Sequence, residues 1–186
     1  MEIGSVDRIT AGAVGEPGHR TFYLQARSGL DLVTVIVEKQ QVELLAASIL
    51  EILSRADKET GQAPVEEELE LEEPVEPLWR VGRLSIGYAE ERDRVLLELE
   101  ELVPEEDDEG EEEEGEESEA VDEDEEGVRE PERVRIWATR EQMLGLSLRG
   151  AAVLARGRPS CDLCGNPIDP EGHTCPALNG HGRSSR

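Results

Sequence analysis

Apolar and polar residues alternate along three segments near the start of the chain, and a helical pattern follows them. The alternation predicts β-strands over 9–14, 21–27 and 31–38. Apolar side chains then recur at helical spacing from Val42 onward, on one face of a helix that ends near Asp57. The opening part of the chain therefore predicts a β-β-β-α unit.

The same order of elements is predicted a second time, after residue 78. Strands are expected over 79–88, 95–99 and 133–138, and Thr139 with Gln142 forms a capping box that starts another helix. Core-facing positions of this helix each follow a counterpart in the first helix by 101 residues: Met143, Leu146, Gly150, Val153 and Leu154 follow Val42, Leu45, Ile49, Ile52 and Leu53. The spacing indicates an internal duplication.

The predicted fold is therefore α+β, with two β-β-β-α halves, an antiparallel sheet and two helices. Three strands with one apolar face are marginally stable alone, so we expect the halves to share one core. The expected organisation has a first half over 1–58, an acidic linker over 59–77, a second half over 78–156 that contains an acidic insertion, and a zinc-knuckle tail over 157–186.

Charge changes this picture less than the net value of −26 suggests, because it is concentrated in two segments. Residues 104–127, the insertion, hold 17 acids and no base, and residues 59–77 hold 8 acids and no base. We expect both segments to be solvated and to fold little. The remaining 20 acids and 19 bases leave a nearly neutral body.

The chain has neither an apolar run long enough to span a bilayer nor the basic and apolar blocks of a signal peptide. All three cysteines lie close together near the C-terminus, and an odd number favours a metal site in a reducing compartment over a disulfide framework. We therefore expect a cytoplasmic protein that makes no membrane contact.

The C-terminal cysteines have the spacing of a zinc knuckle. Cys161 and Cys164 are separated by two residues and followed by glycine, so that their sulfurs can converge on one ion, and Cys175 supplies a third sulfur. A tetrahedral Zn²⁺ site then needs a histidine as its fourth ligand. His173 is favoured because it would project to the same side of an extended segment as Cys175, and His181 is the alternative.

The residues at both ends of the chain resemble the bacterial domain-of-unknown-function family 3090. The resemblance rests on the ending Cys-x-Leu-Cys-Gly-x-Pro-x-Asp-Pro-x-Gly-His-x-Cys-Pro from Cys161, on 7–12 and on 22–26. The resemblance implies a protein for which no catalytic site is described. It also implies a gene that lies near the genes of a histidine-phosphatase-like protein and a lipid-kinase-like protein. The acidic insertion is not part of the resemblance.

A glycine-rich loop between the first two strands is the candidate ligand site in the body. Backbone amides at Gly15 and Gly18, with His19 and Arg20, could cradle an anion. A strand follows the loop, whereas phosphate-binding loops lead into a helix, so a hairpin turn is the favoured interpretation.

Three functions follow from these observations. The first is a non-enzymatic binding or adaptor module with a structural zinc and protein partners, since residues suited to catalysis are few. The second is an enzyme or enzyme subunit that acts on a phosphorylated ligand through the glycine-rich loop from Gly12 to Arg20. The third is a nucleic-acid-associated zinc protein, which is disfavoured because no aromatic residue lies between Gly157 and Arg186 to stack on a base.

Overall fold

A computed structural model describes residues 1–56, 58–103, 129–157, 161–166, 168 and 172–177. Its strands are β1 (Glu2–Ser5), β2 (Arg8–Val14), β3 (Thr21–Ser28), β4 (Asp31–Val37), β5 (Val81–Ala89), β6 (Arg94–Glu101) and β7 (Arg133–Ala138), and its helices are α1 (Lys39–Arg55) and α2 (Arg140–Ala155). The α+β class is confirmed, and three consecutive antiparallel strands precede each helix, β2 to β4 before α1 and β5 to β7 before α2. Within these described ranges, no helix is long and apolar enough to cross a membrane.

The strands form two sheets, which corrects the expectation of one. A three-stranded sheet has the order β2-β3-β4, and a four-stranded sheet has the order β1-β7-β6-β5. The additional strand β1 pairs in parallel with β7, and the other pairs are antiparallel. Strand β1 contains one buried residue, Ile3, so its sequence carries no alternation from which a strand could be predicted.

Each sheet is extended at one edge by a short segment from the other half of the chain. In both cases this segment comes just before the first strand of the predicted β-β-β-α unit to which it belongs. Strand β1 precedes β2 along the chain but lies beside β7, where Ser5 is in register with Trp137. Arg80 precedes β5 but forms a parallel bridge with Ile36 of β4. The two contacts occur at corresponding positions of the halves, because Ile36 and Trp137 are 101 residues apart, which is the spacing that relates the two helices. The duplication itself stays a prediction.

The helices begin with similar caps and connect the halves. The Gln142 side chain accepts a hydrogen bond from the Thr139 amide at 2.8 Å, as the predicted capping box requires, and donates to the Val6 carbonyl in the other half at 2.8 Å. Gln41, 101 residues earlier, accepts from the Glu38 amide at 2.8 Å and donates to the Val81 carbonyl at 3.2 Å. Each cap thus fastens its helix to the start of the other half.

The two helices pack closely against each other over a single core. A Cβ on Gly150 would lie 3.2 Å from Val42 Cγ1, which is a tight contact, so the glycine favours this approach. The buried Ser147 hydroxyl donates to the Ala46 carbonyl of the facing helix at 2.8 Å. Buried side chains from both sheets and both helices form one cluster, which confirms the shared core.

The segment after α1 lies against the three-stranded sheet, contrary to the expectation of a solvated linker. Residues 66–72, which we call the acidic strap, begin with a 3-10 turn, Glu66–Leu69, whose last side chain is 4 % exposed. Arg8 and Gln25 of the sheet bind strap carbonyls at Glu70 and Glu72. Composition failed here because partners distant in sequence bind both the backbone of the strap and the carboxylate of Glu72, which pairs with Arg8 and Arg27 of the sheet.

Candidate metal centre

Four side chains near the C-terminus bring their ligand atoms together. The sulfurs of Cys161, Cys164 and Cys175 and a ring nitrogen of His173 lie within 4.8 Å of one another. Cys161 Sγ is 3.8 Å from Cys175 Sγ, and Cys164 Sγ is 3.3 Å from His173 Nε2. Three sulfurs and one imidazole nitrogen at these distances could hold a metal ion.

A tight turn after Cys161 produces this convergence. The Gly165 amide donates to the Cys161 carbonyl at 2.8 Å, and the Cys161 amide donates to the Asn166 carbonyl at 2.8 Å. Gly165 has a φ of 73°, which lies in the left-handed region that glycine adopts without strain. The glycine after the second cysteine therefore serves the backbone reversal that its position in the motif predicts.

The environment of the thiols favours negative charge on the first cysteine. Backbone amides of Leu163 and Cys164 donate to the Cys161 sulfur and lower the pKa of that thiol. The Asn166 amide acts to lower the pKa of Cys164, but burial and the sulfurs of Cys175 and Cys161 outweigh it and raise that pKa overall. Ionisation of one sulfur thus opposes the ionisation of its neighbour unless a cation lies between them.

The two histidine candidates differ in what the structure describes. His173 lies in the cluster, as the favoured alternative requires, and its nitrogen faces Cys164 Sγ. His181 lies outside the described residues, as does the insertion at 104–127.

The glycine-rich loop forms the turn of the β2–β3 hairpin, as the favoured interpretation has it. Gly15 and Gly18 have φ values of 106° and 104°, and the His19 amide donates to the Glu16 carbonyl at 2.9 Å. Arg20, at the end of the loop, points away to α2. An anion site built from these four residues stays a prediction.

Arg20 has two contacts with the body of the protein. Its Nη1 donates to the Val153 carbonyl at 3.1 Å, and its guanidinium lies 5.4 Å from the centroid of the Phe22 ring. Val153 is in the last turn of α2, where carbonyls lack partners within the helix. The guanidinium therefore caps α2, which explains the basic residue at this position without a ligand.

One polar cluster was not singled out from the sequence. The Asp93 carboxylate accepts a hydrogen bond from the Tyr88 hydroxyl at 2.5 Å and pairs with Lys58 at 3.1 Å and Arg140 at 3.0 Å. A cavity of about 570 Å³ lies beside it, lined in part by Tyr88 and Lys58. Lys58 and Arg140 are far from Asp93 in sequence, and the local signal is limited to an aspartate in a turn between two strands.

Comparisons with known proteins identify a family. A search of the curated proteins found no match, and a search of the solved structures found none. A family model matches residues 1–175, so the matched region ends at the last cysteine of the cluster and includes all four clustered residues. The chain belongs to the family described as "Protein of unknown function (DUF3090)", in agreement with the resemblance of its two ends.

Proposed function

We propose that Cys161, Cys164, His173 and Cys175 hold one structural Zn²⁺, and that the two β-β-β-α halves form a non-enzymatic binding or adaptor module for protein partners in the cytoplasm. The observation that carries the proposal is the convergence of the four ligand atoms within 4.8 Å. The contact of Arg20 with the Val153 carbonyl weighs against the enzyme alternative, because it engages the basic residue of the glycine-rich loop.

Two distances within the cluster are close to those of a tetrahedral zinc ion, although the four ligand atoms together span up to 4.8 Å. With zinc to sulfur bonds of about 2.3 Å, two thiolates in a tetrahedral site lie roughly 3.8 Å apart. Cys161 and Cys175 have their sulfurs at 3.8 Å. A thiolate and an imidazole nitrogen are expected roughly 3.6 Å apart by the same geometry, and Cys164 and His173 lie at 3.3 Å. Three thiolates with one imidazole are a ligand set typical of structural zinc.

Four protein ligands leave no coordination position for water or substrate, so the proposed zinc is structural. Its effect would be to fix the ends of a short segment that has little apolar core of its own. The cysteines are free thiols in the structure, as thiolate ligands in a reducing compartment must be.

Metal analysis of protein purified without chelator tests the zinc site. We expect close to one zinc per chain in the wild type and a large loss in Cys164→Ser. The histidines supply a matched pair, because His173→Ala should lower the zinc content while His181→Ala should leave it unchanged. Wild-type protein without zinc would contradict the proposal, and zinc loss in His181→Ala with retention in His173→Ala would assign the fourth ligand to His181.

The adaptor role is tested by capture of partners. We expect the zinc-loaded chain, tagged and cross-linked in its own cells, to retain specific proteins that an unrelated tagged protein does not. A phosphate or nucleotide titration that shifts the amide resonances of Gly15 to Arg20 would instead support the enzyme alternative. Salt-dependent binding of DNA or RNA would support the nucleic-acid alternative.

A further inference from the structure

A cavity of about 280 Å³, which we call the α2 cavity, lies between helix α2 and the segment that leads into the acidic strap. Two charged residues, Glu66 of the strap and Arg149 of α2, form part of its lining. The volume is at the small end of ligand pockets, which hold roughly 300–1,000 Å³. The rest of the lining is small or apolar, and it consists of Ala63, Pro64, Leu69, Gly145, Leu148 and Ala152.

The residues that shape this cavity are specific to α2. Gly145 follows Leu44 of α1 by 101 residues, and Arg149 follows Ser48 by the same number. A Cβ on Gly145 would lie 2.9 Å from Pro64 Cδ, so the glycine lets the segment before the strap approach the helix. Helix α1 forms in the corresponding place without a glycine or an arginine at these positions. Helix packing alone therefore does not explain them.

Arg149 is buried to a degree that is rare for arginine. Its side chain is 9 % exposed, whereas arginine is almost never fully buried unless it is paired. Its Nη1 donates to Glu66 Oε1 at 3.1 Å, but the buried Nε has no hydrogen-bond partner within the described residues. A buried donor without a partner costs folding free energy. The fold thus holds a cation at the cavity without using its full hydrogen-bonding capacity.

Glu66 neutralises only part of the positive charge at the cavity. One of its oxygens, Oε1, accepts from both Arg149 and Arg156, the latter at 2.9 Å. Glu67 and Glu68 of the same turn form no ion pair with either arginine. The Glu66 side chain is 64 % exposed, and ion pairs with exposed partners contribute little free energy. Another carboxylate can therefore replace Glu66 at low cost.

We propose that the α2 cavity binds a small amphipathic carboxylate. The head of the ligand lies between Arg149 and Arg156 in place of Glu66, because two guanidinium groups favour an anion. Its aliphatic body lies along the apolar part of the lining, which favours a short hydrocarbon chain. The inference goes beyond the adaptor role, since it adds a small-molecule ligand and depends neither on zinc nor on protein partners.

Glu66 acts in this proposal as a competitor within the chain. A ligand carboxylate has to displace it, so the measured affinity is lower than the affinity of the two arginines without Glu66. Removal of the Glu66 charge should then strengthen binding. A nonspecific apolar surface would show no such response to this residue, so the sign of the effect distinguishes the two.

Octanoate is the probe, titrated into the full, zinc-loaded chain at low salt and below the concentration at which it forms micelles. Amide resonances of the labelled protein report both affinity and location. We expect saturable shifts at Gly145, Leu148 and Ala152 and none at Gly87 on the four-stranded sheet. Octanol keeps the chain without the charge, and acetate keeps the charge without the chain. Each should bind at least about tenfold more weakly.

Two charge variants, each with a matched control, test the head of the site. Glu66→Gln should tighten octanoate binding about threefold to tenfold, whereas Glu67→Gln, the same change in the same turn, should leave it unchanged. Arg156→Gln should weaken binding about threefold to fivefold. Its control is Arg55→Gln, at the position 101 residues earlier in the chain, which should leave binding unchanged.

A third pair of variants tests the apolar body of the site. Leu148→Ser should weaken octanoate binding about threefold to tenfold, because part of the apolar contact is lost. Leu44→Ser is the control on α1. Both leucines are largely exposed, at 53 % and 68 %, so we expect the melting temperatures of both variants to stay close to that of the wild type.

Three results would overturn the inference: no saturable binding of octanoate, equal binding of octanol, or weaker or unchanged binding in Glu66→Gln. Failure of octanoate to bind a chain that holds zinc and captures protein partners overturns this inference alone. Absence of captured partners overturns the adaptor role and leaves a positive octanoate result standing.

Discussion

Ser147 and Ala46 join the two helices at positions 101 residues apart, the same separation that relates the halves in sequence. The Ser147 hydroxyl donates to the Ala46 carbonyl at 2.8 Å, and both residues are buried. A contact between corresponding positions of two similar units is what an approximate two-fold axis through the helix pair would produce. The small side chains at this point let the helix backbones approach.

Replacement of this serine should weaken the helix pair. We expect Ser147→Ala to lower the free energy of unfolding by about 1 kcal/mol, because a buried hydrogen bond is lost. Chemical denaturation measures the change. Ser54→Ala is the control, since the Ser54 hydroxyl bonds a carbonyl within its own exposed turn. Equal effects of the two substitutions would contradict a special role for the contact between Ser147 and Ala46.

The sequence predicted the helices and the metal-ligand cluster well because their signals are local. A capping box needs only Thr139 and Gln142, and a metal knuckle needs only residues from Cys161 to Cys175. Both patterns lie within a short stretch of chain, so their spacing is visible without knowledge of the fold.

The sequence failed where burial depends on distant partners. The strap looked solvated because of its charge, but its leucines alternate with glutamates, and Leu69 and Leu71 face the sheet. That alternation is a strand-like signal which the charge outweighed. The pairing of β1 with β7 brings together residues more than 130 positions apart, and nothing in either segment specifies the other.

The cap of α2 offers a second test of the connection between the halves. Gln142→Glu keeps an acceptor for the Thr139 amide but replaces the amide donor to the Val6 and Asp7 carbonyls with a carboxylate. We expect a loss of about 1–2 kcal/mol in unfolding free energy. Gln40→Glu, an exposed position on α1, makes the same charge change and should cost little. A small loss in Gln142→Glu would show that water replaces the amide at no cost.

The strap should loosen in acid through Glu72. Hydrogen bonds from Arg27 hold the pKa of Glu72 below its usual value, with Arg8 adding to the effect. A depressed folded-state pKa contributes stability above the unfolded value, roughly 4.3, and that stability is lost as the pH falls through the folded value. We therefore expect wild-type stability to fall more steeply than that of Glu72→Gln as the pH is lowered from about 5 to 3. Parallel curves would contradict the assignment, and Glu70→Gln is the control.

The polar cluster at the β5–β6 turn should be visible in the titration of tyrosine. The hydrogen bond from Tyr88 to Asp93 raises the pKa of the Tyr88 hydroxyl, and burial adds to the shift. Asp93→Asn removes the negative charge and keeps a side chain that tolerates the φ of 50° at this position. We expect the variant to lower the pKa of Tyr88 toward its ordinary value, measured by the ultraviolet absorbance of the phenolate. The chain has one other tyrosine, Tyr23, so Tyr23→Phe in both backgrounds isolates the signal.

Because a raised folded-state pKa contributes stability below the unfolded value, roughly 10, the wild type should also lose stability relative to Asp93→Asn as the pH rises above it. An unchanged Tyr88 titration in Asp93→Asn would mean that burial alone raises the pKa.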